Sequence, residues 1–293
     1  MLPMRFYSSL TSLLLRGFFS AYCLCSAMAM AAGDGMLWKV QAGHGPVSYL
    51  FGTIHVDDPR VTALAEPVNA ALESVQSFMM EVLPSNDVSP YYMQGSLAQL
   101  LTEAELEQVY AAADFHGLPR DMALRMKPWL LAMVFDLPVS QSPYTLDVQL
   151  YLQAQRAGKA VEALETPEAH FSVLESISLE EQMLILRSVL KRSQEQREKD
   201  FELMIQAYLS GNLDKVGALD SALGVDGLPA GLWEKIRVKL LDERNMRMAE
   251  RIAAAASLQP VFVAVGAAHL PGEGGLIDLL SRAGFTVSPV NSQ

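Results

Sequence analysis

Val261-Phe262-Val263-Ala264-Val265-Gly266-Ala267-Ala268-His269 is the stretch whose reading decides the fold. Its opening apolar run has no polar alternation, which describes a strand covered on both faces, as in the middle of an α/β sheet. Far upstream, Tyr49-Leu50-Phe51-Gly52-Thr53-Ile54-His55 repeats the arrangement: an apolar strand, a glycine, and a histidine three residues later. Both histidines fall just past the carboxyl end of a strand, the edge where open α/β sheets place their ligands. Each glycine permits either a backbone conformation closed to other residues or the close approach of another chain or ligand. Two imidazoles delivered to one sheet edge are able to share a divalent metal. A single histidine in this setting is ordinarily a hydrogen-bonded loop residue, so it is the repetition that favours a site.

The bulk properties agree with a well-buried globular protein. At 293 residues, 51% hydrophobic and 19% charged, the chain is excluded from the disordered class and is long enough for a substantial core. Its net charge of −11 argues against a nucleic-acid partner, because phosphate binding draws on clustered Lys and Arg. Residues 1–29 read as an export signal: Arg5 and Arg16 precede the apolar run Gly17 to Ser26, and Ala27-Met28-Ala29 supplies small residues at a cleavage spacing. The expectation is cleavage near Ala29, a periplasmic or secreted protein, and no stable membrane span afterwards; a retained anchor is the rival reading. Both cysteines, Cys23 and Cys25, lie in that segment, so the mature chain has neither disulfides nor thiol chemistry. Any catalysis must then use carboxylates, imidazoles, hydroxyls or a metal.

Residues 30–293 read as a single domain, with a helical insertion at about 89–145 and a helical segment at about 179–256. Strands are expected at 36–40 and 47–51, joined by a Gly/Pro turn in which His44 is a solvated residue. Asp57 and Asp58, just after His55, carry ordinary Asp-Pro turn chemistry. A helix is expected over 62–76, and then the strand Phe78-Met79-Met80-Glu81-Val82. Glu81 is a carboxylate among apolar strand residues and calls for a partner or a metal. Glu165 repeats that placement after Val161-Glu162-Ala163-Leu164. Asp147 opens a helix, as N-terminal carboxylates commonly do, and His116 ends one, as a cation beside the C-terminal dipole. His170 reads as a surface helix residue. The run Lys191 to Asp200 mixes signs and reads as a solvated face. The last long helix, from about Gly231 to Ala256, carries Arg244 and Asn245; a charged helix surface and a ligand-orienting or oxyanion-stabilising pair are both open readings. The glycines of the 272–275 loop open the next helix, whose backbone N–H groups offer an anion site.

Taken together, Phe51-Gly52-Thr53-Ile54-His55-Val56, Glu81, Leu146-Asp147, Gly158-Lys159, Leu164-Glu165-Thr166, Glu243-Arg244-Asn245 and Val265-Gly266-Ala267-Ala268-His269-Leu270 resemble the TraB/GumN family across nearly the whole mature chain. That family is similar to the Tiki metalloproteases and to the erythromycin esterase and haem-binding ChaN group. The resemblance implies an α/β fold, a mixed sheet flanked by helices with a large helical insertion. It also implies an active site of His55, His269 and Glu81, with Glu165, Arg244 and Asn245 as further candidates. The expectation is a metal-dependent hydrolase acting on a peptide or small-molecule substrate. His55 and His269, with Glu81 and Glu165, are the candidate ligands of a divalent ion (Mn, Co or Zn), and Glu81, Arg244 and Asn245 the catalytic candidates. The alternatives are a non-catalytic haem- or metal-binding protein and a polysaccharide-related accessory protein.

Overall fold

Six strands, β1 (Leu37–Gln41), β2 (Val47–Thr53), β3 (Ser77–Met80), β4 (Ala160–Ala163), β5 (Val261–Gly266) and β6 (Thr286–Pro289), join in one sheet in the order β4-β3-β5-β2-β1-β6. The computed structural model describes residues 35–290 apart from 86, 225–227 and 230; the export signal expected at 1–29, with both cysteines, lies outside the described residues. β4, β3, β5 and β2 run parallel, whereas β1 pairs antiparallel with both β2 and β6, so the sheet is mixed and the fold is α/β.

The uninterrupted apolar run explains why β5 is central. Val261 through Val265 are each no more than 1% exposed, and Phe262 stacks on Phe78 of β3 with ring centroids 6.1 Å apart. Burying side chains of this size is worth about 1.5–3 kcal/mol each, which a strand exposed on one face would forfeit. The helix Leu146–Arg156 packs on β3, β4 and β5, and Glu243–Leu258 packs on β5. Away from the sheet, Glu103–Phe115, Pro128–Asp136 and Leu179–Lys191 build a second core around Val109, Leu131, Phe135 and Leu186. The first of these opens on a capping box between Thr102 and Glu105 and closes before Gly117, whose φ is +65°.

Local physics accounts for several departures from the sequence expectations. The helix expected over 62–76 is two, Pro59–Thr62 and Glu66–Ser74. Pro67 has no N–H to donate and is accommodated only in the first turn of a helix, so a new helix starts at Glu66. Asp58 caps the first piece and Asp57 accepts from the N–H groups of Gln141 and Ser142, so both stay with turn chemistry. The solvated face expected at 191–200 is partly buried, since Asp200 is 7% exposed and pairs with Arg192, which also reaches Asp136. His116 caps its helix, but burial lowers its pKa and its ring stacks on Phe135, so it is a neutral packing residue rather than a cation on a dipole. The last long helix is interrupted: Leu232–Arg237 leads through a π-helical turn, Val238–Asp242, into Glu243–Leu258. The extra residue in that turn resets the helix face, and π turns recur at functional sites for this reason. Among the described residues no helix is long and apolar enough to cross a membrane.

Gly52 shows which of the two uses of glycine applies. It has no positive φ; a Cβ there would lie 3.1 Å from Ala267 Cα and 3.2 Å from Leu270 Cδ2. The first motif is thus packed directly against the turn of the second. Gly52→Ala is expected to cost about 1–3 kcal/mol through this overpacking, read as a lowered denaturation midpoint. An unchanged midpoint would show that the two motifs are not held together at this contact.

Candidate metal centre

Sheet register decides which side chains meet. Hydrogen bonds from Leu164 N to Met80 O (2.7 Å) and from Glu165 N to Glu81 O (2.8 Å) carry the β3–β4 pairing past the strand ends and set Glu81 beside Glu165. Met80 lies opposite Ala264, so Glu81 reaches the end of β5, where its Oε1 accepts from Gly266 N at 2.7 Å. Thr53 lies opposite Gly266, which brings His55, two residues further on, to the same place. Four adjacent parallel strands therefore deliver Glu165, Glu81, His269 and His55 to one carboxyl edge.

Gly266 is the centre of the convergence. A Cβ at this position would lie 3.3 Å from Glu81 Oε1, 3.6 Å from His269 Cδ2 and 3.7 Å from His55 Nε2. The glycine serves close approach and not an unusual backbone, since its φ and ψ are −53° and 135°. The echo seen in sequence is also not a structural repeat. Gly52 pairs with Val265 and the chain runs on as strand through Thr53, whereas Gly266 ends β5 and Ala267–His269 form a 3-10 turn.

Each imidazole is held through Nδ1. His55 Nδ1 donates to Asp147 Oδ2 at 2.8 Å, and the Thr53 hydroxyl donates to the other oxygen of that carboxylate. His269 Nδ1 lies 2.6 Å from Asn245 Oδ1. The Asn245 amide nitrogen donates to Gly274 O at 3.0 Å, which fixes the oxygen as the end facing His269. Both Nε2 atoms are thereby left towards the centre, the arrangement by which outer partners set tautomer and ring orientation for metal ligation. The rings differ in environment: the His55 side chain is 63% exposed and His269 is buried. Asp147 raises His55 to about 9, whereas burial pushes His269 down to about 4 and keeps it neutral. Burial opposes ionisation of Glu81, but the Arg244 and His55 cations and the Gly266 N–H hold its carboxyl well below the ordinary carboxylate range.

Arg244 lies buried between the carboxylates. Its Nε donates to Glu165 Oε2 at 2.7 Å and its Nη2 donates to Glu81 Oε2 while pairing with Glu165 Oε2 at 2.6 Å. Nη2 also lies 3.1 Å from His170 Nδ1, and Nη1 3.3 Å from His269 Nε2. A guanidinium only donates, so His269 Nε2, on the ring whose Nδ1 faces the Asn245 oxygen, carries a lone pair. Burial would raise Glu165, but His170 and Arg244 hold it at about 2.

Two donor sets thus meet at this edge. One is His55 Nε2, His269 Nε2 and Glu81. His269 Nε2 lies 3.8 Å from Glu81 Oε2, near the spacing of roughly 3.4 Å expected between ligands on bonds of about 2.1 Å. The donor types and the oriented rings suit a divalent ion, but the three residues do not each bring a ligand atom within 4.8 Å of the others, so an ion there requires His55, whose exposed side is open to substrate, to draw in. The other is Glu81, Glu165 and His170, whose nearest ligand atoms lie within 4.8 Å of one another. Arg244 is bonded to all three residues and already supplies the positive charge there.

All the candidates singled out in sequence, His55, His269, Glu81, Glu165, Arg244 and Asn245, lie in this network. Arg244 and Asn245 are 5% and 3% exposed, so the charged-surface reading of their helix does not hold. Two readings need correction and one needs extension. His170 is not a surface residue but half-buried against Arg244; it lies three and seven residues before the buried Val173 and Ile177, a stripe that signals an inward face. Asp147 stands in the first turn of its helix as expected, but it likewise precedes buried Leu150 and Ala154 at the same spacings and its carboxylate also holds His55. The 272–275 loop is not an open anion site: Gly274 N is taken by Asp278 Oδ2 at 2.9 Å and Gly274 O by Asn245.

The Asp147 contact has a measurable consequence. Because the folded pKa of His55 lies above its ordinary 6.5, the pair stabilises the fold fully below that pH and loses its contribution as pH rises through about 9. Asp147→Asn keeps an acceptor for Nδ1 and removes the charge, so the His55 titration followed by NMR should fall towards about 6.5. A titration unmoved by the substitution would mean that Asp147 does not set the charge of His55.

A histidine–carboxylate centre at the carboxyl edge of a parallel strand set defines an α/β protein with a candidate metal site, and comparison with known proteins places it more closely. The TraB/PrgY/gumN family model matches residues 36–289, and the chain belongs to that family. It is 25% identical to Metalloprotease TIKI1 of Danio rerio, covering 87% of this chain and 63% of the relative. It is 24% identical to Metalloprotease TIKI1 of Homo sapiens, over 87% and 61% respectively. An uncharacterized protein of Treponema pallidum is 20% identical over 85% of this chain and 81% of its own length. The chain thus spans about three fifths of the length of the metalloprotease relatives. No solved structure matches.

Proposed function

We propose that this protein is a divalent-metal-dependent hydrolase of peptide bonds, exported by residues 1–29, with His55, His269 and Glu81 as its metal-holding set. The observation that carries the reading is the pair of imidazoles, each tied through Nδ1, that border Gly266 together with Glu81. The metalloprotease names of the TIKI relatives support the same reaction class.

A divalent ion held there supplies Lewis acidity, polarising a carbonyl and making water more acidic, and Mn, Co and Zn all suit such donors. Glu81, kept ionised by its surroundings, either completes the ligand set or takes the proton from the attacking water. Arg244 is the cation placed to steady negative charge developing on the carbonyl oxygen. Asn245 has both ends of its amide committed, to His269 and to Gly274, so it acts by orienting His269. Glu165, which accepts from Arg244 and Arg247, holds the guanidinium in place. Chelator-treated protein should lose proteolysis of a broad peptide library and regain it with Mn, Co or Zn. Cleavage indifferent to chelators contradicts the proposal.

A further inference from the structure

We infer that Arg244 is a resident counter-cation that metal must displace from Glu81 and His269, and that Glu165 and His170 form the tether to which it withdraws. The inference rests on the metal reading above. Its starting point is that the guanidinium donates to Glu81 Oε2 and lies 3.3 Å from His269 Nε2, two atoms the metal set also requires. A dication and an arginine cannot both sit against these atoms, since like charges at contact in a buried setting repel by several kcal/mol at about 4 Å. The opposite flank of the same guanidinium is independently held. Nε donates to Glu165 Oε2 at 2.7 Å, Nη2 pairs with the same oxygen at 2.6 Å, and His170 Nδ1 lies 3.1 Å from Nη2. The side chain can therefore release Glu81 and His269 while staying paired.

Two further features fit an arm with two stations. The Arg244 Cα sits one residue into the helix that follows the π-helical turn, and Nη1 also donates to Leu240 O within that turn at 3.2 Å, an additional partner independent of the centre. Glu165 is in turn neutralised from outside by Arg247, 3.3 Å from its other oxygen, so it is held in position whichever station Arg244 occupies. Glu165 and His170 are then positioning residues that do not hold the ion themselves, whereas Glu81 does.

Calorimetric titration of chelator-treated protein with Zn²⁺ at fixed neutral pH tests this without recourse to activity. Arg244→Gln is expected to bind Zn²⁺ roughly tenfold more tightly than the native chain and to melt lower in its metal-free form, whereas Arg247→Gln leaves affinity within about threefold. Arg244→Lys keeps the charge but cannot bridge two carboxylates, and should bind at least about threefold more tightly; it serves if the glutamine variant does not fold. Glu165→Gln is expected to weaken binding in the native background by roughly tenfold and to have no effect when Arg244 is already glutamine. Unchanged or weaker affinity in both Arg244 variants overturns the inference. So does an equal loss from Glu165→Gln in the two backgrounds, which would make Glu165 a ligand. Binding to neither the native chain nor any variant overturns the metal reading itself, and this inference with it.

Discussion

His269→Ala is expected to abolish high-affinity metal binding and to lower kcat/KM by roughly three orders of magnitude or more, because it removes one ligand of the group that supplies the Lewis acid. The residue is well suited to the role. It is 4% exposed, burial holds its pKa near 4, and Asn245 occupies Nδ1, so a neutral ring whose Nε2 lone pair faces Arg244 is its state across the physiological range. The substitution leaves the Asn245 oxygen without its partner, which costs about 1–3 kcal/mol of stability and must be measured alongside activity. His55→Ala separates the two effects, since the His55 side chain is largely exposed while the ring belongs to the same set. Both variants should fold, as judged by cooperative melting, and both should fail to bind metal. A folded His55→Ala chain with native metal affinity would remove the repeated motif from the centre.

Gly266→Ala is the second large expected effect, and it isolates the space between the ligands from the ligands themselves. The backbone at Gly266 is ordinary for any residue, so alanine introduces no conformational strain there. Its methyl would enter the convergence point, 3.3 Å from Glu81 Oε1 and 3.7 Å from His55 Nε2. We expect stability to change by less than about 1.5 kcal/mol, the cost of a modest local overpacking, while metal affinity falls by roughly two orders of magnitude as Glu81 and His55 are pushed apart. The two glycines of the repeated motif are therefore predicted to fail in different ways. Gly52→Ala should lower the melting temperature, and Gly266→Ala should spare it and disable the centre. Equal effects of the two substitutions on stability and affinity would show that the motif glycines share one role.

Much of this edge was legible because it depends on strand type and strand ends. A covered apolar run such as Val261 to Val265 specifies a central strand, and residues just beyond such strands converge wherever the strands are parallel. Glu81, Glu165, His55 and His269 could be read from that rule. What could not be read was register, which determines that Gly52 meets Val265 while Thr53 meets Gly266, and so gives the same motif two local structures. Helical contributions were harder for a related reason. A polar side chain on a helix declares itself only through the apolar residues sharing its face, and Asp147 and His170 sit on buried stripes visible at spacings of three and seven. Asn245 sits on such a stripe too, three and seven residues before buried Met248 and Ile252, and the π-helical turn breaks the 3.6-residue period only upstream of it. The helix break at Pro67 follows from proline chemistry and was open to inspection.

The coupling of these pieces points to a centre assembled from outside in. Asp147 and Asn245 fix the rings, Gly52 packs one motif on the other, Gly266 leaves the gap, and Arg244 balances two carboxylates buried at one sheet edge. The most direct measurement is anomalous diffraction from crystals soaked with Co²⁺ or Zn²⁺. The account predicts a single strong peak at about 2.0–2.2 Å from both His55 Nε2 and His269 Nε2 and within bonding distance of Glu81. A peak instead at Glu165 and His170, or none at the two histidines at saturating metal, would contradict it.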